Sequence, residues 1–142
     1  MKKRRLLIII PLLLFIIVWF NPLNKTDQLS PVITLEKKDL IQNLIKIEAL
    51  PRINPSAKSL EFDITIESFQ NQTILNENLD NISLVLINHS TPINPSQFIT
   101  LSTNDYQTVG QLSFNTTENI KTLSLHIFDE SEHILTWNVT TK

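Results

Sequence analysis

From Leu60 to Glu67 apolar and polar residues alternate without a break, Leu60, Phe62, Ile64 and Ile66 interleaving with Glu61, Asp63, Thr65 and Glu67. Successive side chains on a strand point to opposite faces, so this pattern demands a sheet with one dry face and one wet face. A helix would scatter the same four apolar residues around its circumference.

The period of two recurs along the chain. Leu123, Leu125 and Ile127 alternate with Thr122, Ser124 and His126, and Leu135, Trp137 and Val139 alternate with Thr136, Asn138 and Thr140. Leu112 and Phe114 give a shorter copy beside Gln111 and Ser113. Ile82, Leu84 and Leu86 set out another strand, with Val85 and Ile87 opposite, and so predict cover on both faces. A further strand is expected from about Leu44 to Ala49, ended by Pro51, with a short helical turn near Asp39 to Asn43 as an option. Turn-rich breaks fall at 51–57, 70–78, 89–95, 103–108 and 129–132. Short strands with frequent turn signals predict an all-β fold, an immunoglobulin-like Greek-key β-sandwich of about seven strands, with a small barrel as the alternative.

Composition narrows the function classes. The chain has one glycine, Gly110, and no cysteine. Glycine-rich phosphate loops are therefore excluded, and so are disulfide staples and thiolate metal centres. Gly110 is expected at a left-handed position or a bulge. Four of the 12 basic residues lie in the first five positions, so the rest of the chain holds eight basic against 14 acidic residues, a net of −6. A nucleic-acid binder shows the opposite balance.

The amino-terminal end sets an expectation about location. Lys2, Lys3, Arg4 and Arg5 precede an apolar run from Leu6 to Phe20, extending to Leu23 across Asn21 and Pro22. The run lies between the length of a signal-peptide core and that of a full span. It ends in bulky or polar residues without a small-residue cleavage site, which favours an uncleaved signal anchor over late cleavage between Asn24 and Ser30. Basic residues before the run keep the amino terminus in the cytoplasm. Residues 1–23 are thus expected to form one transmembrane helix, with residues 6–23 in the lipid bilayer. Residues 24–31 are read as a linker and residues 32–142 as an exported domain.

Few residues point to chemistry. His126 and His133, with Asp129, flank one expected turn, and two imidazoles with a carboxylate are sensible ligands for copper or zinc. No spacing typical of metal ligands accompanies them, and surface residues beside a turn are the simpler reading. The pairs Glu61/Asp63 and Glu130/Glu132 fall on solvated positions, where carboxylates are poor acid–base catalysts. No catalytic residue and no cofactor is assigned, and the chain is read as a non-enzyme. Asn24, Asn71, Asn81, Asn88, Asn115 and Asn138 each open an Asn-x-Ser/Thr triplet, a number that a chain rich in these residues yields by chance. Trp137, with apolar neighbours at i ± 2, is expected in the core with its indole N–H partnered.

The stretch from Ser59 to Val139 resembles a set of small, uncharacterised bacterial exported β domains. The matching pieces are Leu60–Ile66, Leu79 with Asp80, Gly110 to Phe114 as Gly-Gln-Leu-Ser-Phe, and Leu135-Thr136-Trp137. Paired histidines of that family fall here at Tyr106 and Gln107, and its Thr-His-Ser turn falls near Ser68-Phe69-Gln70. The resemblance implies a shared β fold, and it implies that any ligand held by those histidines is not held here. Together these readings predict a membrane-anchored exported β-sandwich that serves as a protein-interaction or accessory module at the cell envelope, with an envelope protein as partner. The alternative is an envelope copper-handling protein using the surface histidines.

Overall fold

Alternation at period two organises almost every strand of this protein. The computed structural model describes residues 30–69, 73–116 and 119–140. In chain order the strands are β1 (Ile33–Thr34), β2 (Lys38–Gln42), β3 (Ile45–Asn54), β4 (Ser59–Ser68), β5 (Ser83–Ile87), β6 (Gln97–Thr103), β7 (Gln107–Asn115), β8 (Thr122–Phe128) and β9 (Glu132–Asn138). Two single-turn helices, α1 (Thr73–Asn76) and α2 (Leu79–Ile82), lie between β4 and β5. The expected anchor over residues 1–23 and most of the expected linker lie outside the described residues. Among the described residues no helix is long and apolar enough to cross a membrane.

The strands form two antiparallel sheets. One runs β1-β3-β4-β7-β6, with β2 also pairing β3, and the other runs β5-β8-β9. The fold is all-β, two sheets sharing one core. Ile45, Ile47, Ala49 and Ile53 of β3 point inward with Leu60, Phe62, Ile64 and Ile66 of β4. Val85 and Ile87, Leu123, Leu125 and Ile127, and Leu135 and Trp137 face them from the smaller sheet. Phe62 meets Phe114 edge-on at 5.8 Å and Trp137 at 5.7 Å between ring centroids. The Trp137 indole N–H donates to the Glu36 carbonyl at 2.8 Å, so the buried ring has its polar partner as expected. In β5 the buried face is Ser83, Val85 and Ile87, while Leu84 and Leu86 are half-buried on the other.

Several expectations need correction. Pro51 does not end β3, which continues to Asn54 and pairs Pro51 with Phe62. The Pro51 carbonyl accepts from Leu35 N–H at 3.0 Å, on the side away from β4. In an extended strand the N–H of a residue points the same way as its C=O, so the missing donor of Pro51 removes no bond from the β3–β4 ladder. Asp39 to Asn43 forms no helical turn. β2 pairs with β3 through a two-residue loop, Asn43-Leu44, with φ of 52° and 62°. Two central residues with positive φ make a type I′ hairpin, the turn whose twist matches the strands. β6 falls partly within a stretch read as a turn and was not recognised as a strand, because its side chains lack an alternating apolar face.

Gly110 is not left-handed; no glycine has positive φ. It lies beside a bulge instead. β6 pairs Thr100 with Gly110 and Ser102 with Val109, leaving Leu101 as the extra residue. A methyl group at Gly110 would overlap the Phe98 ring and sit 2.7 Å from the Ile99 carbonyl oxygen. The single glycine is therefore required by close approach: Phe98 folds inward from β6 across the bare backbone of β7.

Candidate functional site

The predicted histidine site lies on the β8–β9 hairpin, whose register pairs Ile127 with His133 and His126 with Ile134. Adjacent register positions on paired strands lie on opposite faces of a sheet. His133 accordingly enters the core, with no exposed surface, while His126 faces outward. The two imidazoles do not converge on one ion. Among the described residues no group of three or more His, Asp or Glu side chains is placed to hold a metal.

Each histidine has a local role. His126 Nδ1 lies 2.8 Å from Glu132 Oε1, and its ring stacks on Phe128 at 6.3 Å. His133 Nε2 lies 3.1 Å from Asp129 Oδ1 and 3.2 Å from Ser131 Oγ. Asp129 Oδ1 also accepts from Ser131 N–H at 2.7 Å, so its carboxylate closes the turn. Serine, histidine and aspartate meet here, but the hydroxyl and the carboxylate share one ring nitrogen. A proton relay needs them on different nitrogens. The trio fixes the hairpin. The available signal for the burial of His133 was its phase with Leu135 and Trp137, and it was masked by Glu130 and Glu132, which make the segment read as a turn. His89 lies in a left-handed turn, with φ of 57°.

The acidic pair Glu61/Asp63 occupies the outer face of β4 and is tied up there. Asp63 binds Arg52, and Glu61 accepts from Gln111 Nε2 at 3.3 Å. Farther along the same face, Glu48 binds Lys37 and lies 2.7 Å from Lys46. Hydrogen bonds from Lys37 and Lys46 hold the Glu48 carboxyl below its usual range, and the hydrogen bond to Glu48 raises the Lys46 ammonium above its own.

Sequence reasoning missed a second region. Leu44, Phe69 and Tyr106 are each about half to two-thirds exposed, and they stand together at one end of the larger sheet. Phe69 N–H donates to the Leu44 carbonyl at 3.0 Å and Ser68 N–H to the Tyr106 carbonyl at 2.9 Å. Asn43 Nδ2 donates to Ser131 Oγ at 3.2 Å, which brings the β8–β9 turn to the same end. β1 joins the sheet at the other end, Ile33 opposite Ile53. Across the ten residues of β3 the two ends are roughly 33 Å apart. Leu44 is unusual on two counts: a branched, apolar side chain in the left-handed region costs about 1–2 kcal/mol, and its exposed side chain recovers little by burial.

A third region is the β6 edge. A cleft of about 430 Å³ opens between its inner face and the α1–α2 connection, with Leu75, Glu77, Phe98, Thr100, Thr103 and Thr108 in its lining. The Thr108 hydroxyl donates to the Leu75 carbonyl at 3.1 Å and lies 3.0 Å from Thr103 Oγ1. Comparison of the chain with protein-family models, with curated proteins and with solved structures finds no match.

Proposed function

We propose that this chain is a membrane-anchored, exported β-sandwich that acts by binding another protein at the cell envelope. The observation that carries the reading is the apolar end formed by Leu44, Phe69 and Tyr106. Exposed aromatic and aliphatic side chains clustered at loop tips are typical contact anchors. A leucine kept in a strained turn conformation, where glycine or asparagine fits better, points to a role outside folding.

Two further features support it. Strand order β3-β4-β7-β6 facing β5-β8-β9 corresponds to the A-B-E-D and C-F-G sheets of an immunoglobulin-like Greek key, with β1 and β2 added at one edge. In that arrangement the apolar end is the loop end that carries recognition in immunoglobulin variable domains. The basic tip and apolar run of residues 1–23 support anchoring with the domain outside. The chain then joins the sheet at the membrane side, and the apolar end projects away from the lipid. The resemblance to bacterial exported β domains points the same way.

Two measurements test this. Alkaline phosphatase fused after Lys142 is expected to be active, and an inactive, stable fusion removes the topology. A photoreactive residue at Phe69 or Tyr106 of the full chain is expected to give a discrete protein adduct in intact cells, and the same probe at Ser56, at the opposite end, is not. Equal labelling from both ends, or none from either, rejects the interaction reading.

A further inference from the structure

We propose that the edge of β6 and the cleft beside it take an extended segment of a partner polypeptide carrying a lysine or arginine. This names a second surface of the interaction module and the chemistry it accepts.

The edges of the two sheets differ in what covers them. β5 is covered by Ile93, whose N–H and C=O each bond Val85 at 2.9 Å. β9 is met by Lys38, whose ammonium donates to the Thr136 carbonyl at 2.8 Å. β1 has two residues, and β2 carries Lys38 and Asp39. β6 has seven residues, no charge, and among the described residues only β7 as a ladder partner. An edge of that length presents unpaired backbone donors and acceptors to any extended chain. The bulge at Leu101 follows the regular stretch Gln97–Thr100 and leaves the Leu101 side chain two-thirds exposed.

The cleft supplies the side-chain subsite that such pairing needs. A strand added beside β6 turns alternate side chains toward the inner face, next to Phe98 and Thr100. The space is there because the Phe98 ring folds away from the edge, over Gly110. Among the described residues Glu77 is the one charged residue in the lining, and the rest of it is threonine and asparagine with Leu75 and Phe98. A carboxylate among neutral polar groups selects a cationic side chain.

A second copy fits less well. β6 holds no lysine or arginine to fill the cleft. Antiparallel pairing of two β6 strands would also invert one molecule, setting its membrane side at the apolar end of the other.

The test uses the full chain in detergent micelles and blocked nonapeptides of alternating threonine and serine with lysine, glutamine or glutamate at the centre. The lysine peptide is expected to bind saturably, about ten-fold tighter than the glutamine peptide, with the glutamate peptide weakest. Binding is expected to slow amide exchange in Gln97–Thr103, and backbone N-methylation of the peptide abolishes it. Glu77→Gln is expected to erase the ten-fold preference and leave the weaker backbone-driven binding. Absence of saturable binding, equal affinity for all three peptides, or protection at Leu44 and Phe69 instead of β6 overturns the proposal. So does a concentration-dependent dimer that protects β6 in the absence of peptide, since that gives the edge to a second copy. Adducts at Phe69 or Tyr106 without peptide binding at β6 remove only this inference and leave the interaction reading standing.

Discussion

β9 and β6 are both outer strands, and they are finished in opposite ways. β9 sends Trp137 into the core, anchors its indole on Glu36, and receives Lys38 on its Thr136 carbonyl. β6 buries no side chain fully and, among the described residues, has only β7 as a ladder partner. The difference teaches where the stability of the molecule resides and where it has surface to spare. Backbone groups of an edge must find water, side chains or another strand. At β9 the chain supplies a partner to one such group, the Thr136 carbonyl, through Lys38. At β6, among the described residues, β7 is the sole ladder partner and the outer side is left to solvent or to another molecule.

The largest effect should come from breaking the closed side. Trp137→Ala removes the biggest buried ring from between Phe62 and the β2 edge, and a loss of about 3–5 kcal/mol is expected by denaturant unfolding. The same truncation at exposed Leu101 of β6 should change stability by less than about 0.5 kcal/mol; a large loss there would show that β6 is not a free edge. Next in size is Gly110→Ala, expected to cost about 1–3 kcal/mol because the new methyl group meets the Phe98 ring and the Ile99 carbonyl oxygen. A Phe98→Ala background should remove the share due to the ring and leave the share due to the backbone oxygen. If the two substitutions are additive, the close packing of ring on backbone is not what requires glycine.

Leu44→Gly sharpens the contrast from the other direction. It relieves a left-handed leucine and places glycine after Asn43 in a type I′ turn, so a gain of about 0.5–1 kcal/mol is expected in thermal unfolding. The same change should weaken the photo-adduct from Phe69. A variant that is more stable and equally well cross-linked would assign Leu44 no part in binding.

The smallest effect concerns the ion pairs on the outer face of β3. Glu48 has a lowered carboxyl pKa, so its contribution is present above the usual carboxylate range and is lost as pH falls through its folded value. Lys46 has a raised pKa, so its contribution is complete below the usual lysine range and is lost as pH rises through its higher folded value. Between these limits the stability of wild type relative to Glu48→Gln should be flat with pH, and the difference should shrink at both extremes. Solvent and salt screen such pairs, so added salt should reduce it further.

The strands were legible in the sequence wherever one face is dry and the other wet. Leu60–Glu67 in β4, Thr122–Ile127 in β8 and Leu135–Trp137 in β9 were read on the correct faces because burial imposes the period of two. The strands that sequence reasoning missed are those without that constraint. β6 is exposed along most of its length, and β1 and β2 hold too few buried residues to show a period. His133 reads as a turn residue because its neighbours are acidic, yet once β9 is known to begin at Glu132 it shares the dry face of Leu135 and Trp137. The apolar end was invisible because Leu44, Phe69 and Tyr106 lie far apart in the chain and meet only through the pairing of β3, β4 and β7.

By itself, then, the sequence determined the class of fold, since alternating burial admits a sheet and excludes a helix, and it determined the polar, cysteine-free and acidic character of the domain. Tertiary structure decided which residues are neighbours. It gathered Leu44, Phe69 and Tyr106 at one end, gave the sole glycine to a phenylalanine ring, and left β6 with β7 as its sole ladder partner among the described residues. Those outcomes depend on strand register and on contacts between residues tens of positions apart, and no local pattern of residues encodes them.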